Sequence, residues 1–158
     1  MVERVRLLQA EIRDALAAID ETFHQIDELG PQATNSQQDI VIGYYLHVLY
    51  GLFESLFVQI AEVFGNHIQD KSQWHSHLLR RMVLDVEQVR PPVISQESYE
   101  SLNELRSFRH LFRNAYLLEF DPDRLNIVLR EANKLKSRYR SDLERFLDFL
   151  EQLAQTDT

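Results

Sequence analysis

The segment from Tyr44 to Phe64 carries more apolar surface than one face of a helix can hold. Tyr44, Tyr45, Val48, Leu49, Leu52, Phe53, Leu56, Phe57, Ile60, Val63 and Phe64 recur at three- and four-residue steps, the helical period. They spread over so much of the circumference that a single partner helix would not bury them. Such a segment is either the central helix of a bundle or part of a subunit interface. A membrane span is the competing reading. It fails on content, because a window of about 20 residues starting at Ile40 would carry His47, Glu54, Ser55 and Gln59 through lipid.

The rest of the chain obeys the same period. Gly30-Pro31, Gly65-Asn66, Pro91-Pro92 and Pro122 punctuate it, and helices are expected at about Val2–Leu29, Gln37–Phe64, Gln73–Val89, Gln96–Leu118 and Pro122–Ala154. Ser95 is placed to accept from the first-turn amides of the fourth helix, with Ile94 and Tyr99 as a hydrophobic staple. Asp121 is placed to cap the last helix, with Pro122 at its first position, where a missing amide hydrogen costs nothing. Along that helix Leu125, Val128, Leu129, Ala132, Leu135, Tyr139, Leu143, Phe146, Leu147, Leu150 and Leu153 form one apolar stripe. No strand pattern competes. The expected fold is all-α, an antiparallel bundle of about five helices. With 158 residues, 44% of them apolar, and no linker-like stretch, residues 1–158 are expected to form a single domain around one core.

Several chemistries are excluded. Without cysteine there are no disulfides or thiolate metal sites. Gly-rich phosphate loops, a Ser-His-Asp order and the H-E-x-x-H pattern are missing. Glu21 and His24 have the spacing used in di-iron bundles, but no second copy exists, so they are expected to be ordinary exposed residues. His75 and His77 point in different directions on a helix and make a poor chelate, and Trp74 is expected to anchor the core. Val2-Glu3-Arg4-Val5-Arg6 opens a charged amphipathic stretch unlike a signal peptide, so a cytoplasmic location is expected. A net charge of −8 argues against a general nucleic-acid coat but leaves room for a local basic cleft.

The candidate for that cleft is Arg109-His110-Leu111-Phe112-Arg113-Asn114-Ala115-Tyr116. At roughly 100° per residue, Arg106, Arg109, Arg113 and Tyr116 share one side of the helix, with His110 and Asn114 beside them. Phe108, Phe112, Ala115 and Leu118 face the other way. Arginine stays charged and offers a planar fork of donors to phosphate oxygens, and histidine moves a proton near neutral pH. The alternative is that these arginines merely pair with acidic residues in a chain of 25 Asp+Glu against 17 Lys+Arg.

Arg109, Asn114 and Tyr116 resemble the R-x-x-x-x-H-x-Y motif of HepT-like ribonuclease toxins of the HEPN superfamily, with Asn114 where the histidine normally stands. Arg90-Pro91-Pro92-Val93-Ile94-Ser95 and Leu118-Glu119-Phe120-Asp121-Pro122 extend the likeness, which covers about Ser36 to Leu150. The resemblance implies a toxin that cleaves RNA by attack of the ribose 2′-hydroxyl on the adjacent phosphate, needing neither metal nor other cofactor. It further implies a two-fold homodimer and silencing by a nucleotidyltransferase antitoxin that attaches AMP to Tyr116. Arg109 is expected to stabilise the transition state as an exposed cleft residue, with Arg106 and Arg113 binding phosphate. Asn114 can hydrogen-bond a phosphate or hydroxyl but cannot exchange a proton at neutral pH. His110, one turn earlier, is the candidate to take over that task. The alternative is a catalytically weak or inactive helical module that keeps the fold and binds the nucleotidyltransferase.

Overall fold

A computed structural model describes residues 1–29, 36–65, 73–113 and 121–156. Six helices form among them: α1 (Val2–Glu28), α2 (Ser36–Val63), α3 (Trp74–Arg81), α4 (Gln96–Arg113), α5 (Pro122–Lys136) and α6 (Tyr139–Thr156). The described residues contain no strand, only an isolated bridge between Val86 and Arg90. The fold is all-α, as expected.

Pairs of side chains across the helices give their directions. Arg4 at the start of α1 reaches the carbonyl of Glu62 at the end of α2, and Gln38 reaches back to the carbonyl of Leu29. Arg6 and Gln9 bind Glu151 near the end of α6, whereas Asp20 binds Tyr139 and Arg140 at its start. Glu104 pairs with Arg124 and Ser101 with Glu131, so α4 and α5 also run in opposite directions.

Helix α2 is central. It packs against α1, α3, α4 and α5, and Ile42, Leu46, Leu49, Phe53, Phe57 and Ile60 are fully buried. Its apolar surface therefore has a use inside the bundle. The segment Gln37–Val63 is long and apolar enough to cross a membrane by composition, yet half of its most apolar window lies inside the protein.

The expected helix over Gln73–Val89 stops early, at Arg81. Its end is held by Arg90, a buried residue whose guanidinium donates to the carbonyls of Arg81 (2.9 Å), Leu84 (3.1 Å) and Pro91 (3.1 Å). The first of these is the carbonyl of the last residue of α3, which also accepts from the Leu84 amide at 3.2 Å. The Met82 carbonyl accepts from the amides of Val93 (2.8 Å) and Ile94 (3.2 Å), and Val86 pairs with Arg90 across a tight turn. That turn forces Gln88 into the left-handed region, φ 66°, where a side chain is disfavoured. Trp74, at the start of α3, packs on the core as expected.

The expected last helix breaks in two at Ser137 and Arg138. Their amides bond carbonyls three residues back (3.3 and 2.9 Å), and the Ser137 hydroxyl donates to the Lys134 carbonyl at 2.8 Å. The tightened turn bends the chain. Past the bend, Tyr139 is buried with its ring stacked on Phe23 of α1 (5.1 Å) and edge-on to Phe53 of α2 (5.9 Å). The apolar stripe thus continues in register while α5 covers α4 and α6 covers α1.

Both expected caps form. The Ser98 amide donates to Ser95 Oγ at 3.1 Å, and Asp142 of α6 adds a carboxylate that accepts from the Ser95 amide (3.2 Å) and the Ser98 hydroxyl (2.5 Å). The Asp123 amide donates to the Asp121 carboxylate at 3.0 Å.

Arg90→Ala should lower unfolding stability by about 3 kcal/mol, because it removes a buried side chain whose guanidinium donates to three carbonyls. Urea denaturation checks this. A change within about 0.5 kcal/mol, the usual range for surface substitutions, would show that Arg90 does not hold the end of α3.

Candidate functional site

His47, Tyr50, Gly51 and Glu54 fall at three- and four-residue steps on α2, and this stripe meets the C-terminal half of α4. Glu54 is a buried carboxylate in an otherwise apolar stretch, a position a charge occupies only when paired. It has two partners from two helices. Its Oε1 accepts from Arg109 Nη1 at 3.0 Å, and its Oε2 lies 2.8 Å from Nδ1 of His75 on α3.

Arg109 is held on further sides. Its guanidinium lies 5.9 Å from the centre of the Tyr50 ring and against Gly51, where an added Cβ would come within 3.8 Å of Nη2. A methyl there would make ordinary van der Waals contact with the guanidinium. Burial, then the Glu54 charge, pushes the Tyr50 phenol well above its usual range, so it stays protonated and can donate. His47 stacks on Phe112 with ring centres 5.2 Å apart. Burial, then the charges of Arg109 and Arg113, holds its imidazole below the ordinary value, so it is neutral at pH 7.

Outside this packed layer, Arg106, Arg109, His110 and Arg113 of α4, with Tyr50 and His75, line an open cleft of about 80 Å³. That is room for a small group of several atoms. Arg106 is oriented by a neutral partner, Asn103 Oδ1, through Nε (3.1 Å) and Nη2 (2.9 Å). Neither Arg106 nor Arg113 makes an ion pair among the described residues. Glu54 offsets one arginine charge and the cleft keeps a positive balance. Such a site favours an anion with several oxygens. Among the described residues no three His, Asp or Glu side chains converge as metal ligands, and Glu21 and His24 are exposed.

The expected cluster of Arg106, Arg109, His110 and Arg113 therefore comes together. Asn114 and Tyr116, with Ala115 and Leu118, lie outside the described residues. One expectation is corrected: Arg109 is not an exposed cleft residue but a half-buried one, its side chain 21% accessible and paired with a carboxylate only 9% accessible. Its pairing with Glu54 gives it a structural role. Glu54, His75, Tyr50 and His47 were not identified as site residues from the sequence. Glu54 carried a usable signal, since a lone carboxylate in an apolar helix demands a buried partner. His75 carried none.

Residues 41–150 match the sequence model of a family described as HepT-like protein. No curated protein and no solved structure matches the chain.

Arg109→Ala should destabilise the protein by about 2–4 kcal/mol, because it leaves the Glu54 carboxylate buried without its cation. Arg113→Ala, which removes an exposed side chain, should stay within about 0.5 kcal/mol of the parent. Equal denaturation midpoints for the two variants would contradict the ion-pair assignment.

Proposed function

Because the chain belongs to the HepT-like family of the HEPN superfamily, we propose that it is the toxin of a toxin–antitoxin pair, a metal-independent endoribonuclease. The observation that carries this reading is the arginine-lined cleft with one arginine fixed by a buried carboxylate. In the proposed reaction the ribose 2′-oxygen attacks the adjacent phosphorus and the bond to the 5′-oxygen breaks. Negative charge accumulates on the phosphate oxygens in the transition state. A cation already held in place stabilises that charge without reorganising, which is the largest single contribution in many enzymes. Arg109 has this rigidity, while Arg106 and Arg113 supply further donors for the RNA backbone.

The proposed working form is a cytoplasmic homodimer. Val41, Tyr44 and Leu111 are large apolar residues left exposed on α2 and α4, the helices that carry most of the cleft, and a second copy would cover them. The proposed control is a nucleotidyltransferase antitoxin acting on Tyr116, seven positions after Arg109. An AMP group there would add negative charge to the segment that carries the motif arginine.

A second reading is favoured by one observation, the asparagine at position 114 where the family motif has histidine. The protein is then a weak or inactive module that binds the nucleotidyltransferase. Incubation with structured RNA at pH 7 in the presence of a chelator separates the two. Cleavage that rises in Asn114→His supports the ribonuclease, and unchanged RNA with both proteins supports the binding module.

Co-expression with an active nucleotidyltransferase should add one or more AMP units to the intact mass, and the addition should vanish in Tyr116→Phe. An unmodified mass under these conditions counts against control at Tyr116.

A further inference from the structure

We infer that His75 is the general base of this cleft, made so by its bond to Glu54; the inference rests on the ribonuclease reading above. A carboxylate only accepts hydrogen bonds. With Glu54 Oε2 at 2.8 Å, Nδ1 of a neutral His75 must carry the ring proton, and Nε2 is left with its lone pair. The carboxylate also fixes the orientation of the ring, a service that a buried acid gives histidine in hydrolase triads. His75 lines the cleft, and nearly half of its side chain is open to solvent, so a substrate can reach it.

The placement relative to the phosphate site follows from Glu54. Arg109 binds one oxygen of this carboxylate and His75 faces the other, from α4 and α3 respectively. A phosphate held by Arg109 therefore brings its neighbouring ribose beside His75. The residue at the motif's histidine position, Asn114, cannot accept a proton at neutral pH, so the chemistry requires another group. His110 also lines the cleft, whereas His75 is the histidine bonded to Glu54. In the reaction the 2′-hydroxyl proton moves to His75 Nε2 as the 2′-oxygen–phosphorus bond forms. The bond to the 5′-oxygen breaks and that oxygen takes a proton from water, which the open cleft admits. His75 then returns its proton to solvent, leaving a 2′,3′-cyclic phosphate and a 5′-hydroxyl end.

The test uses the full chain and an end-labelled structured RNA, in buffer with a chelator. His75→Ala should lower the cleavage rate constant by about a hundredfold or more, the usual contribution of a positioned base, and added imidazole should restore part of it. His75→Gln, which can still donate to Glu54 and so preserves the local packing, should be impaired without unfolding. A folded His75→Gln with the activity of the parent overturns the assignment while leaving the ribonuclease intact. So does an inactive His75→Ala that imidazole does not rescue, since a merely structural histidine would behave that way. A parent protein that cleaves no RNA overturns the ribonuclease reading, and the role of His75 with it.

Discussion

A carboxylate buried in the central helix is the constraint on which the site depends. Glu54 is buried in an otherwise apolar stretch of α2, and burying its charge is costly unless donors surround it. The donors come from α4 and α3. Through this one group the fold fixes the angle of Arg109 and the tautomer of His75 together. Gly51 and Tyr50 complete the arrangement by leaving the guanidinium a flat slot along α2. Replacing Glu54 by an apolar residue of similar volume preserves packing in many buried ion pairs, but here it would release both side chains.

Helix α4 is held at both ends by carboxylates from other helices. At its start Asp142 of α6 joins Ser95 in satisfying first-turn donors, and near its end Glu54 of α2 binds Arg109. Between them Leu102, Leu105 and Phe108 are buried against the bundle. The spacing of Arg106, Arg109, His110 and Arg113 along the cleft is therefore rigid, and rigidity is what electrostatic stabilisation requires. The segment before α4 serves the same end. Arg90, Val93 and Ile94 tie down the end of α3, and α3 carries His75. The Arg90-Pro91-Pro92 stretch that resembles the HepT-like family thus does its work in the fold, at the end of α3.

Much of this could be read from the residues alone. The three- and four-residue period, the excess apolar surface of Tyr44–Phe64, the caps at Ser95 and Asp121 and the shared face of Arg106, Arg109 and Arg113 are local properties, and each has its counterpart in the structure. They are legible because backbone geometry links spacing directly to direction within one helix. What tertiary structure alone decided is which helix lies opposite. Glu54 and Arg109 are 55 positions apart, and no period reports their meeting. The end of α3 was set by the side chain of Arg90, and the break at Ser137 falls where Tyr139 enters the gap between α1 and α2. Periodicity says which side of a helix is buried, whereas the chemistry of a site depends on what the neighbouring helix presents to it, and that is fixed only when the helices pack.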